Sequence, residues 1–293
     1  MTAPLIEAFF HEPTNTVTYL VADPASGSAA VIDPVLDYDP ASGTVDTTSA
    51  ERVLAHAAAA GWRIEWALET HVHADHLSAA PLFKQRCGAQ VAIGAGISEV
   101  QSVFRPMFEA DDLKAGCGDF DRLLGDGETI AIGALTIAVM AVPGHTCADV
   151  AYRAGDALFV GDTLFMPDYG TARTDFPGGC AHQLYQSIQR ILGLPGETRL
   201  FMCHDYKAPG RDSFAWETTV AEQRSANVHL AGKSEDEFVA MREARDRTLD
   251  TPKLLLPAIQ VNIRAGRFPP AEANGVSYLR IPVRVRGSAA VTP

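Results

Sequence analysis

The stretch Thr70-His71-Val72-His73-Ala74-Asp75-His76 constrains this chain more than any other part of it. Four metal-competent side chains fall within six residues, directly after the apolar run Ile64–Leu68. That run predicts a short buried strand, so His71 arrives just past a strand end. In an extended segment His71 and His73 point to the same side, because side chains alternate with period two. Asp75 and His76 stand where a helix is expected to begin, over Leu77–Arg86, and the turn into it can fold them back toward the same point. Imidazole together with carboxylate suits zinc, iron, manganese or a similar first-row ion rather than calcium. The flanking residues are apolar, which argues against a chance cluster of solvated side chains.

Three more residues share one placement, each just beyond an expected strand. His145 follows Val139–Val142, Asp162 follows Leu158–Val160, and His204 follows Leu200–Cys203. Side chains at the ends of adjacent strands converge on one rim, where α/β sheets place their chemistry. Gly144 and Gly161, immediately before His145 and Asp162, let the backbone turn sharply there. His71, His73, Asp75, His76, His145, Asp162 and His204 therefore read as one metal site. His11, His56, His182 and His229 lack such partners and read as structural or surface residues. Asp111-Asp112 and the run Arg242–Arg247 read as solvated faces.

Strands are expected at Ile6–His11, Thr16–Val21 and Ala29–Ile32, with Asp37–Asp46 a surface loop. Thr48 can cap a helix running through Leu54–Ala60, which Gly61 ends. Ala89–Ile93 follows as a strand, while 98–121 has a mixed pattern with no assignment. Glu128–Val142 alternates around Gly133 as a hairpin does, and Val150–Arg153 with Ala157–Val160 forms another. Helices are expected at 181–192, 214–229 and 235–247. From Pro257 onward the chain reads as irregular or extended, with Ile281–Val285 strand-like. Two groups of strands with helices between them indicate a layered α/β architecture. With no linker or repeat, 1–293 reads as a single domain, 208–293 being a helical, then extended, extension packed on it.

Net charge, −12 over 293 residues, argues against a nucleic-acid partner, which wants a basic face. It does not exclude a small anionic substrate, since a few arginines can reverse the field inside one cleft. No run is long and apolar enough for a membrane span, and the N-terminus lacks a signal-peptide pattern, so a cytoplasmic protein is expected. The five cysteines, Cys87, Cys117, Cys147, Cys180 and Cys203, form no CxxC pair, which points to reduced thiols. Cys147 reads as a packing residue.

His71-Val72-His73-Ala74-Asp75-His76, with Gly144-His145-Thr146, Gly161-Asp162 and His204 in order, resembles the HxHxDH signature set of the metallo-β-lactamase fold superfamily. The resemblance implies a four-layer αβ/βα sandwich with its site in the cleft between two sheets. Within the superfamily the chain looks like persulfide dioxygenases. The residues that carry this are Leu77-Ser78-Ala79 after the motif, Arg173-Thr174-Asp175-Phe176, His204-Asp205-Tyr206, and Thr219-Val220-Ala221-Glu222-Gln223-Arg224 with Asn227. Thr171-Ala172 replaces a Cys-Gly of the human-like branch. With Asp168-Tyr169-Gly170, Pro177-Gly178-Gly179 and the tail through Gln260-Val261-Asn262-Ile263-Arg264-Ala265-Gly266, it is similar to a bacterial β-lactamase-like hydrolase branch.

The persulfide dioxygenase resemblance implies one Fe(II) per chain on His71, His145 and Asp162, turning glutathione persulfide, O₂ and water into sulfite and glutathione. His73, Asp75, His76, His204 and Tyr206 then act as catalytic and orienting partners. Arg173 becomes the candidate for a glutathione carboxylate, a structural salt bridge being the alternative, and the resemblance implies a homodimer. The alternative is a dinuclear zinc hydrolase of glyoxalase II-like thioesterase type. There His71, His73 and His145 hold one Zn²⁺, Asp75, His76 and His204 the other, and Asp162 bridges. A non-catalytic protein would have no physical need to keep seven such polar residues together.

Overall fold

The computed structural model describes residues 3–113 and 118–283. In chain order the first half runs β1 (Leu5–His11), β2 (Thr16–Ala22), β3 (Ser28–Ile32), β4 (Val35–Asp39), β5 (Thr44–Asp46), α1 (Thr48–Ala60), β6 (Arg63–Leu68), β7 (Leu77–Ser78), α2 (Ala80–Cys87), β8 (Gln90–Gly94), α3 (Ile97–Phe108) and β9 (Arg122–Leu124). The second half runs β10 (Thr129–Ile132), β11 (Leu135–Ala141), β12 (Val150–Ala154), β13 (Ala157–Phe159), α4 (Ala181–Leu192), β14 (Arg199–Phe201), β15 (Glu217–Thr219), α5 (Val220–Ala226), α6 (Glu235–Asp246) and α7 (Leu255–Asn262). Besides the three-stranded β5-β4-β7, the strands form two six-stranded sheets, of order β1-β2-β3-β6-β8-β9 and β10-β11-β12-β13-β14-β15. Both are mixed: β3, β6, β8 and β9 run parallel, as do β13 and β14, and the remaining pairs in these sheets are antiparallel.

Strand alternation builds the layers. Val17, Tyr19 and Val21 of β2 face the second sheet, packing with Ile130, Val139, Tyr152 and Phe159. Leu20 and Ala22 of the same strand face the other way, toward Val53 of α1, Phe83 of α2 and Phe104 of α3. On the far side Ala151, Leu158 and Leu200 pack against Leu184 and Ile188 of α4 and Phe238 of α6. Helices therefore cover both outer faces of a two-sheet sandwich, the four-layer architecture that the motif resemblance implies. The sheets are stitched together at one end: Val17 N donates to Cys203 O at 2.7 Å, and Asp205 N donates to Asn15 O at 3.1 Å.

Several expectations need correction. Leu77–Ser78 is a strand paired with Val35–Leu36, and the helix starts only at Ala80. Pro81 in its first turn explains the delay, since a proline is tolerated where the N–H has no helical acceptor. The expected loop Asp37–Asp46 contains a hairpin, β4 paired with β5. The unassigned stretch holds α3, whose Ile97, Val100, Phe104 and Phe108 bury one face. The expected helix 214–229 splits into β15, paired with β14, and the short α5 capped by Thr219. Pro257 does not end helical structure, because it lies in the first turn of α7, again among the orphan N–H groups. Residues 281–283 carry no strand, and the rest of the Ile281–Val285 expectation lies outside the described residues. Arg242–Arg247 is not simply a solvated face: Arg242 and Asp246 are buried and paired at 2.6 Å. Asp112 likewise bonds Arg264 at 2.6 Å.

Candidate metal centre

All seven residues gather at the stitched end of the sandwich. β6 ends at Leu68 and delivers His71 and His73; β13 leads into the turn Gly161–Thr163 that carries Asp162; β14 delivers His204. The glycine expectation has a concrete cause at two positions. Gly144 has φ +147°, and a Cβ there would lie 2.3 Å from the backbone of Leu184. Gly161 has φ +54°, and a Cβ would lie 2.8 Å from Thr70 Oγ1. Neither position accepts a side chain without a shift of the turn itself or of Leu184 or Thr70 against it.

The geometry centres on Asp162. Its Oδ2 lies 3.8 Å from His71 Nε2 and 3.6 Å from His145 Nε2. Its Oδ1 lies 3.2 Å from His204 Nε2, which is itself 3.3 Å from Asp75 Oδ2. Ligand atoms of His71, His145 and Asp162 lie within 4.8 Å of one another, as do those of His73, Asp75 and His76. The far ring nitrogens are tied back to the fold. His76 Nδ1 donates to Leu77 O at 3.0 Å, His145 Nδ1 to Arg173 O at 2.8 Å, and His204 Nδ1 to Asn15 O at 3.3 Å. Each such bond fixes the tautomer and presents a bare Nε2 lone pair inward.

His71 Nε2, His73 Nδ1, His76 Nε2, His204 Nε2 and Asp162 Oδ1 are buried without a hydrogen bond. Buried polar atoms are almost always satisfied, so these orphans, spread over the groups His71–His145–Asp162 and His73–Asp75–His76 and over His204, fit bound cations. Electrostatics agree. Burial, reinforced by the neighbouring histidines, holds His71 well below its ordinary value, and burial with His73 pushes His76 down to about 3. Both are therefore neutral at physiological pH and competent as ligands. His73 differs: burial lowers it, but Asp33, Glu69 and Asp75 outweigh burial and push it up to about 10. The site thus recruits positive charge, which a bound metal ion supplies as well as a proton does.

Asp33 and Glu69 are members of the site that the sequence reading missed. Asp33 Oδ1 lies 3.0 Å from His73 Nε2. It also accepts from Thr70 N at 2.7 Å and Thr70 Oγ1 at 2.9 Å, and that hydroxyl contacts His71 Nδ1 at 3.0 Å. One carboxylate therefore orients two histidines. Burial opposes its charge, but His73 and Thr70 outweigh burial and hold it below the ordinary range. Glu69 is 3.7 Å from His73 Nε2, and burial raises it to about 8. Both follow directly on a strand, β3 and β6, the same signal that singled out His145, Asp162 and His204.

A cleft of about 900 Å³ opens over the site, lined by His145, Asp162 and Asp75. Tyr206 lies at its rim, half exposed and stacked 5.6 Å from His204. Arg173 also lines the cleft, but its guanidinium is committed: Nε and Nη2 bond Asp175 at 2.6 and 2.8 Å, and Nη1 bonds Asp250 O at 2.7 Å. What Arg173 contributes to the centre is its carbonyl, which holds His145. Cys147 packs against the first core, partly buried. His229 accepts from Thr171 N at 3.0 Å, a structural role. Among the described residues no helix is long and apolar enough to cross a membrane.

Residues 11–204 match the family model of the metallo-β-lactamase superfamily. A probable metallo-hydrolase of Burkholderia pseudomallei is 54% identical over 290 residues, covering 95% of this chain and 98% of that protein. A β-lactamase hydrolase-like protein of Agrobacterium fabrum is 52% identical over 96% of this chain, which spans only 65% of that relative's length. Glyoxylase B2 of Dictyostelium discoideum is 43% identical over 95% of this chain and 96% of its own. The crystal structure of ETHE1 from Myxococcus xanthus superposes with a TM-score of 0.72 at 32% identity, covering 90% of this chain and 100% of that one. The chain belongs to the metallo-β-lactamase superfamily and is one of its metal-dependent enzymes.

Proposed function

We propose that the chain is a metal-dependent hydrolase whose substrate is a thioester of a small thiol such as glutathione. The observation that carries this reading is the division of Asp162: Oδ2 faces His71 and His145, and Oδ1 faces His204 and, beyond it, Asp75. A carboxylate with one oxygen toward each of two ligand groups is built to bridge. His71, His73 and His145 then hold one ion, and Asp75, His76 and His204 the other. Two such ions, when bound, would lower the pKa of a bound water toward neutrality and polarise a carbonyl.

The protein's own groups do the rest. Asp33 and the three backbone carbonyls hold the histidines in register, so that no ligand must reorganise on binding. Asp75 has the most exposed side chain of the seven, at 24%, and lines the cleft. Tyr206 offers a hydroxyl at the rim. Arg245 and Lys253, both exposed, line the cleft together with the exposed Asp39, Asp46 and Asp250, so its mouth offers charge of both signs to a polar substrate. Names of the relatives, metallo-hydrolase and glyoxylase B2, lean the same way.

A second reading is favoured by the compact triad of His71, His145 and Asp162 and by the likeness to ETHE1. In it one Fe(II) on that triad serves a persulfide dioxygenase acting on glutathione persulfide. A relative named persulfide dioxygenase, from human mitochondria, is 30% identical over 90% of this chain. One experiment separates the two: protein purified without air is offered a glutathione thioester and glutathione persulfide in turn, in a sealed oxygen-electrode cell. Thiol release from the thioester without O₂ uptake supports the hydrolase. Persulfide-dependent O₂ uptake with an inert thioester overturns it in favour of the dioxygenase.

A further inference from the structure

The segment after His204 lies outside the family match, yet one of its side chains reaches into the histidine motif. Asn262, near the end of α7, is buried. Its Nδ2 donates to His73 O and to His76 O, both at 2.8 Å. Its Oδ1 accepts from Ser78 N at 2.9 Å. The amide spends both donors and its acceptor on three backbone groups spanning residues 73–78, across a sequence separation of more than 180 residues. No other side-chain type does this with the same reach: Asp lacks the donors, and Gln is one methylene longer.

The loop so held has no regular structure from Glu69 to His76, so its conformation comes from tertiary bonds rather than from a helix or a ladder. His73 and Asp75 lie between the two carbonyls that Asn262 grips or beside them. We infer that Asn262 is a positioning residue: α7 acts through this one amide to set the curl of the motif, and thereby the metal affinity of His73, Asp75 and His76. This rests on the metal-centre reading above. Asn262 touches neither ion nor substrate; it acts on the backbone that carries the ligands. The inference also gives the tail motif Gln260–Gly266 a function that its distance in sequence from the histidines conceals.

The test separates positioning from mere support of α7. Gln260 lies on the same helix, and its side chain bonds Leu256 O and the backbone of Arg280, away from the motif. Asn262→Asp keeps the acceptor and loses both donors, Asn262→Ala loses all three bonds, and Gln260→Ala weakens the helix and its tail alone. Metal-free wild type and variants are titrated with Co²⁺ against a competing chelator, and the visible Co²⁺ spectrum and Tm are recorded for each. Removing partners that orient metal ligands costs about 10–100-fold in affinity. Expected is a loss of about tenfold or more for both Asn262 variants with an altered Co²⁺ spectrum. Gln260→Ala should bind within about twofold of wild type even where its Tm falls as far.

Folded Asn262→Ala with wild-type affinity and spectrum would overturn the inference, as would equal losses in Asn262→Ala and Gln260→Ala. Should Asn262→Asp not fold, Asn262→Ala decides by the same comparison. Wild type that binds no Co²⁺ would instead overturn the metal-centre reading, and this inference with it.

Discussion

Among single residues, His229 shows how burial can be tested without touching the centre. Its Nδ1 accepts from Thr171 N, so the ring must stay neutral, and burial with Arg242, Arg245 and Lys233 nearby pushes its pKa down to about 4. The sign follows from linkage. Between about pH 6.5 and pH 4 the unfolded chain binds the proton and the folded chain does not, so stability falls as pH falls through that window. His229→Gln should lose less urea resistance than wild type between pH 7 and pH 5. Equal losses would show that His229 protonates freely in the fold. His71 and His76 shift in the same direction, which is why the comparison between the two proteins, rather than the wild-type curve alone, isolates His229.

Between elements, the centre depends on close backbone approach as much as on ligands. Gly144→Ala would place a methyl 2.3 Å from Leu184 N, at a φ of +147° that other residues avoid. Backbone strain of about 1–3 kcal/mol and overpacking of similar size add, so about 3 kcal/mol of stability should be lost on urea unfolding. Metal affinity should fall with it, because His145 is displaced. What sequence made legible at this scale followed a simple rule. A short apolar run ending in a polar residue announced β6, β13 and β14 and their ligands. The same rule, applied to Ile32-Asp33 and Leu68-Glu69, would have announced the carboxylates behind His73. Their role was hidden because a carboxylate that orients a ligand has no spacing signature. Elements held by tertiary bonds were the least legible. Leu77–Ser78 is a strand because of its pairing with Val35–Leu36, β15 because of its pairing with β14, and Pro257 masked α7. Arg173 read in sequence as either a glutathione-carboxylate partner or a structural salt bridge, and the fold commits its guanidinium to Asp175 and Asp250.

For the whole molecule, the centre is a product of closure. Its candidate ligands come from both halves of the chain, and neither sheet supplies them all: His71 follows β6 of the first sheet, while Asp162 and His204 follow β13 and β14 of the second. Bonds between β2 and the segment after β14 hold those edges together, and α7 closes the motif from outside. On the proposed hydrolase reading, Asp162 would bridge two ions. Elemental analysis of metal per chain, on protein purified without air, tests it in wild type and in His76→Ala. His76 belongs only to the second ligand set. Two ions per wild-type chain and one in the variant are the predicted result; one ion in wild type, unchanged in His76→Ala, would contradict it.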